Sequence, residues 1–286
     1  MHYLFILGAS DPEMSAIEAV LSAAEQPYAF AAVGGKRCHP GNACKADSII
    51  DRDGDFVRPF GGGTLVWVEC KAPGYGRHIV VDHHNDGDPG FGRPPAEYID
   101  ASSLGQVLSL LVIPPTLEQC IIAAADHCLG AAYAGKCPGV DPAELKAWRI
   151  RSRAAFQRRP EADVAADIEA AVKTISAAPV TCLLGVEDMP HTYEHDWSRS
   201  VCEGCASDPV TVRDLRGRKV AELPDAQAIT GLSVLCDGLP GPDGRRKINV
   251  MGSEDACRAF LNHWAERNEV VDTYGDPSRG IVGGYL

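Results

Sequence analysis

The chain has 286 residues and a formal net charge of −12, from 39 acidic and 27 basic residues, with 45% hydrophobic and 23% charged content. Such ordinary globular usage excludes a disordered or low-complexity protein, and the length suits two lobes. The acidic field opposes coating of a nucleic-acid backbone, which leaves short oligonucleotides at most, while a small phosphorylated substrate docking through cations stays compatible.

The opening MHYLFILGASDPE has no basic region before its brief apolar run, so it is not a secretory signal. No stretch approaches the ~20 apolar residues of a membrane span. The eleven cysteines are scattered and odd in number, which fits reduced thiols better than a disulfide framework. A cytoplasmic protein with no membrane partner is the expectation.

Tyr3 to Gly8 is an apolar run with strand character, and Asp11 to Ala24 follows with Met14, Ile17 and Leu21 on one helical face. Pro27 to Val33, Thr64 to Val68 and His78 to Val81 are further apolar runs, separated by polar, Gly-rich excursions. This alternation predicts an α/β fold with a mainly parallel sheet covered by helices. Thr116-Leu-Glu-Gln119 is a capping-box pattern that opens a helix, with Gly135 as its stop. Asp141-Pro142-Ala143-Glu144 opens another.

Residues 1–150 are thus expected to form a catalytic domain. The basic segment RIRSRAAFQRRP and a helix over Asp163 to Ser176 give a helical connector at 151–179. Residues 180–286 carry short strand-like pieces (VTCLLGV, GLSVLCDG, KINVMG) and a helix capped by Ser253. They predict a second, smaller α/β lobe.

In a parallel sheet, functional side chains collect where strands end at the carboxyl edge. Asp11 and Glu13 follow the first strand, Glu69 ends TLVWVE, and Asp82, His83 and His84 end HIVVDHH. Asp126 and His127 interrupt a run of small apolar residues. Carboxylates and imidazoles gathered in this way need a cation, since an uncompensated buried cluster is costly. Oxygen ligands with one or two imidazoles suit manganese, magnesium or iron.

The succession resembles the DHH phosphoesterase superfamily. Asp11-Pro-Glu13-Met-Ser-Ala looks like its first motif, Glu69 falls where its second has a strand-end aspartate, and VVDHHN is similar to the name-giving third. IDASSLGQVLSLL resembles the segment in which a serine pair opens the next helix, and Asp126 matches the aspartate of the fourth motif. YGDPSRGIVGG in the tail looks like the glycine-rich signature of the accompanying C-terminal domain.

The resemblance implies a metal-dependent phosphohydrolase or phosphodiesterase of a small nucleotide-like substrate held between the two lobes. Asp11, Glu13, Glu69, His83 and Asp126 would hold one or two Mn2+ or Mg2+ ions. Asp82 and His84 would orient the site and the substrate. In the tail, Gly275, Gly283, Gly284 and Arg279 would meet a phosphate. The family's first motif begins with a metal-binding histidine, whereas the equivalent region here reads FILGAS. His39 and Lys45, in CHPGNACKAD, are candidates to compensate as ligand or phosphate contact. The divergent first motif also leaves open an inactive nucleotide-binding or sensor protein.

His191, His195, Cys202 and Cys205 have spacings that a structural zinc site can use. A polar loop with two incidental thiols explains them as well.

Overall fold

The computed structural model describes residues 3–39, 42–58, 63–71, 78–184, 210–241 and 243–286. The His191, His195, Cys202 and Cys205 set lies outside them. The chain divides into two units, Met1–Ser152 and Arg153–Leu286.

Strand periodicity organises the first unit. In β1 (Tyr3–Leu7), Phe5 and Leu7 join one apolar cluster while Leu4 and Ile6 join another, as expected of a strand buried on both faces. β1 pairs in parallel with β2 (Tyr28–Val33) on one side and with β5 (Thr64–Val68) on the other. β6 (His78–Val81) extends the sheet in parallel beside β5. Two short antiparallel strands, β3 (Lys36–Arg37) and β4 (Ser48–Ile50), pair with β2. The first sheet therefore runs β3-β2-β1-β5-β6, and its four longest strands share one direction. The fold class is α/β, as the sequence implied.

One face of this sheet is covered by helices. These are α1 (Pro12–Ala23), the short α2 (Tyr98–Ala101), α3 (Ser103–Leu111) and α4 (Leu117–Tyr133), which contribute Met14, Ile17, Leu104, Leu108, Ile121 and Ala124 to the core. The other face packs against Cys38, Ala46 and Ile49, so the polar excursion after β2 forms a wall of the domain. The capping box forms at α4: the Thr116 side chain accepts from the Gln119 N–H and the Gln119 side chain accepts from the Thr116 N–H. Gly135 stands at φ +70° just past the helix end and closes it.

The unit boundary falls within α5 (Pro142–Gln157). In the second unit, α6 (Glu161–Ala177) places Ala171 and Ile175 in a cluster with Leu215, Ala226, Val234 and Cys236. The helical stretch 151–179 thus supplies part of that unit's core. The second sheet runs β11-β12-β10-β9-β8-β7, from β7 (Val180–Leu184), β8 (Val210–Asp214), β9 (Val234–Asp237), β10 (Lys247–Met251), β11 (Val271–Asp276) and β12 (Ile281–Tyr285). All its pairings are antiparallel except β8 with β9. Besides α6 it carries α7 (Leu223–Thr230) and α8 (Glu254–Ala259). The latter passes through a π-helical turn (Phe260–Trp264) into α9 (Ala265–Arg267). Ser253 caps α8 by accepting from the Ala256 N–H. No helix among the described residues is long and apolar enough to cross a membrane.

Candidate metal centre

The carboxyl ends of β1, β5 and β6 deliver their polar residues to one place. Past β1 the chain must turn closely over the next strand end: a Cβ at Gly8 would lie 2.6 Å from the Glu69 carbonyl oxygen. Asp11 then caps α1, its Oδ1 accepting from the Met14 N–H at 2.7 Å. Two residues on, Glu13 points into the interior, where its Oε1 accepts from the Leu104 N–H in the first turn of α3 at 3.0 Å. The helix is oriented by Ser102, whose hydroxyl accepts from the Gly105 N–H, and its N-terminus favours negative charge there. Glu69 follows β5 in a left-handed conformation, φ +51°, a strained geometry for a side chain with a Cβ.

Asp82 organises the strand end after β6. Its Oδ1 accepts from the His83 N–H at 2.7 Å, the His84 N–H at 3.1 Å and His84 Nδ1 at 2.8 Å. Burial pushes the Asp82 carboxyl up, but the hydrogen bond and charge of His84 and the two N–H groups outweigh it and hold it below the usual value. Its carbonyl accepts from Gly90 N–H and from Gln106 Nε2. Gly90 has no room for a side chain, because a Cβ would stand 2.0 Å from the Ala101 carbonyl oxygen and 2.7 Å from His83 Cβ.

His83 is fully buried, and its tautomer follows from its neighbours. His127 Nε2 lies 3.1 Å from the Arg93 carbonyl oxygen, which can only accept, so Nε2 carries the proton. A neutral His127 then presents Nδ1 as an acceptor, and His83 Nδ1 stands 3.1 Å from it. His83 therefore donates through Nδ1 and turns its Nε2 the other way. His83 Nε2 faces carboxylates: Asp126 Oδ2 at 3.0 Å and Glu69 Oε1 at 3.5 Å. Two carboxylates thus converge on one edge of the His83 ring.

Glu13, Glu69, His83 and Asp126 each offer one ligand atom, all within 4.8 Å of one another. Glu13 Oε2 and Glu69 Oε1 are buried and accept no hydrogen bond from described residues. Burial raises the Glu13 carboxyl well above its usual value, and repulsion from Asp126 and Glu69 adds to the shift. Asp11 is pushed up to about 7 by burial and by the charges of Glu69 and Asp126, against the opposing pull of the Met14 N–H and His84. Three oxygen donors and one imidazole fit a divalent cation, which would satisfy every one of these groups. Glu69, His83 and His84 form a second, overlapping set.

Four of the five expected ligands are thus brought together. Asp11 interacts with the cluster through its charge, but its Oδ1 is engaged in the helix cap and it belongs to neither ligand set. His84 belongs to the second set, and Asp82 adjoins both sets through the His83 N–H and His84 Nδ1. His39 and Lys45 are exposed and in neither ligand set. FILGAS supplies no ligand, and Gly8 within it cannot carry one without displacing the Glu69 backbone.

The tail residues have a different setting in the second unit. Gly283 and Gly284 lie in β12, which is paired on both sides, so its N–H groups face ladder partners rather than an anion-binding loop. A Cβ at Gly283 would meet Asn249 Oδ1 and Tyr274 Oη at 2.5 Å, and one at Gly275 (φ +105°) would meet the Ile281 carbonyl oxygen at 2.4 Å. Close packing within the sheet accounts for these glycines. Arg279 is half-buried, in the turn between β11 and β12.

Sequence reasoning noted His127 beside Asp126 but missed its role as the partner of His83. It also missed Gln106, which holds the Asp82 carbonyl, and Ser103, fully buried in the first turn of α3 with a hydroxyl that finds no partner among the described residues. The doubled serine of IDASSLGQ was the available signal for Ser103.

No protein-family model matches the sequence, and no curated protein matches it as a relative.

Proposed function

We propose that this chain is a divalent-metal-dependent phosphohydrolase or phosphodiesterase acting on a small nucleotide-like substrate. The observation that carries this reading is the convergence of Glu13, Glu69, His83 and Asp126, whose ligand atoms lie within 4.8 Å of one another, with Glu13 Oε2 buried and accepting no hydrogen bond from the described residues. Glu13, Glu69, His83 and Asp126 would hold Mn2+ or Mg2+. Held there, a divalent cation would supply polarisation of a phosphoryl oxygen and activation of water near neutral pH.

The surrounding residues supply orientation and proton handling. Asp82 stays ionised and fixes His84 through Nδ1, and the His84 side chain is 46% exposed. Its Nε2 edge is then placed to exchange a proton with a leaving group or water. His127 fixes the ring of His83, as partners of metal-bound imidazoles do.

Elemental analysis of the purified protein, combined with a hydrolysis screen of phosphomonoesters, dinucleotides and cyclic dinucleotides under Mn2+, tests the reading. Turnover that Asp82→Ala and Asp126→Ala both abolish is the expected result, and full activity in both variants would remove the assignment. A second reading, a nucleotide sensor without turnover, is favoured by the apolar FILGAS segment, which leaves room for no further ligand. It predicts ligand-induced thermal stabilisation with no hydrolysis under any divalent ion.

A further inference from the structure

Behind the metal cluster lies a pair of thiols. Cys128 and Cys137 hold their sulfurs 3.4 Å apart, and both are buried and outside any disulfide. Cys128 is the point at which α4 leaves helical geometry, with φ −153° and ψ 59° inside the helix. It directly follows Asp126 and His127, so a shift of its backbone is passed to both. Cys137 lies in the turn after α4, between exposed Lys136 and Pro138. Opening that short turn exposes its sulfur without unfolding the sheet. The hydrogen bond from Cys128 also holds the Cys137 thiol below its usual value, against the effect of burial.

We propose that Cys128 and Cys137 form a reversible redox pair, oxidised by hydrogen peroxide, whose disulfide displaces His127 and so loosens the metal cluster. Cys137 sulfur attacks one peroxide oxygen, the O–O bond breaks, and a sulfenic acid forms as the first water leaves. Cys128 sulfur then attacks the sulfenic sulfur, the S–S bond forms, and the S–O bond breaks to release the second water. Two thiols thus give two electrons and two protons to one peroxide.

Closing the bond brings the sulfurs from 3.4 Å to about 2.05 Å. The non-helical backbone at Cys128 is the hinge that takes up this movement. His127 adjoins the hinge, and its Nδ1 lies 3.1 Å from His83 Nδ1. The loss of metal affinity rests on the metal-binding reading, whereas the cross-link and the movement of His127 do not.

The test treats the chelator-stripped full chain with hydrogen peroxide, alkylates the remaining thiols, and maps cross-links by peptide mass spectrometry. Ring 15N resonances of His83 and His127 are recorded before and after, and Mn2+ affinity is measured by calorimetry. The expected result is a 128–137 cross-link reversed by dithiothreitol, shifted resonances of both rings, and Mn2+ affinity lowered at least about tenfold, as for loss of an outer-shell partner. Cys137→Ala and, separately, Cys128→Ser should make both readouts insensitive to peroxide. Absence of the cross-link under conditions that oxidise the exposed Cys182 would overturn the proposal. So would a cross-link that leaves the ring resonances unmoved. Shifted rings in a chain that binds no Mn2+ would uphold the redox pair while removing the metal reading.

Discussion

The carboxyl edge of the first sheet and the glycine-rich hairpin of the second were both marked by sequence as ligand sites, yet they are built on opposite principles. At the first, buried acceptors converge and their own protein leaves them short of hydrogen: Glu13 Oε2 and Glu69 Oε1 accept nothing from described residues. At the second, backbone groups are paired on both sides of β12, and Gly283 fits because Asn249, Tyr274 and Ile248 crowd its Cα. An unsatisfied buried polar atom points outward to a missing ligand. A glycine pressed against its own sheet points inward to packing.

The contrast can be broken most forcefully by pH. An unfolded Asp11 titrates near its usual 3.8, and the folded one near 7. Between those values the folded chain binds the proton more tightly, so this group's contribution to stability is greatest below about pH 4 and declines as pH rises to about 7. The decline is on the order of a few kcal/mol. Denaturant unfolding of chelator-treated protein at pH 5 and pH 8 should show it, and Asp11→Asn, which keeps the helix cap, should make it smaller. Glu13 keeps its own share of the slope in that variant, and equal slopes for the two proteins would mean that Asp11 carries none of it.

Next in size is His127→Phe, which keeps a ring against His83 but removes its hydrogen-bonding nitrogen. Mn2+ affinity should fall about 10–100-fold by calorimetry, and an unchanged affinity would show that the tautomer chain does not matter. In the other region, Gly283→Ala should lower stability in urea by about 1–3 kcal/mol through overpacking while leaving Mn2+ binding intact. Were it instead to preserve stability and weaken pyrophosphate binding, the hairpin would be a ligand loop after all. The smallest effect belongs to Tyr274→Phe, which deletes the hydroxyl that donates to Asn249. It should cost about 1 kcal/mol in the same unfolding measurement.

Much of the first unit was legible because two periodicities are clean there. β1, β5 and β6 are short apolar runs, and α1 repeats Met14, Ile17 and Leu21 on one face. The tail hid its strands for the opposite reason: Val271–Asp276 and Ile281–Tyr285 are interrupted by aspartate and glycine, residues with low strand propensity whose pairing is decided by neighbours far along the chain. Strand-end carboxylates could be gathered on topology alone, and Glu13, Glu69, His83 and Asp126 do meet. The part played by His127 could not be read in advance, since it depends on a contact with the Arg93 carbonyl 34 residues earlier. Nor did any pattern announce that the Leu104 N–H would hold Glu13 across 91 residues.

Calorimetric titration of the chelator-treated chain with Mn2+ at pH 6 and pH 8, beside Asp126→Ala, is the most direct trial of the metal centre. Saturable binding to the wild type that tightens with pH, as the raised carboxyls of Asp11 and Glu13 release protons, and that weakens more than about 100-fold in Asp126→Ala, is the expected result. No binding at either pH, or equal binding by the two proteins, would show that these side chains converge for some purpose other than holding an ion.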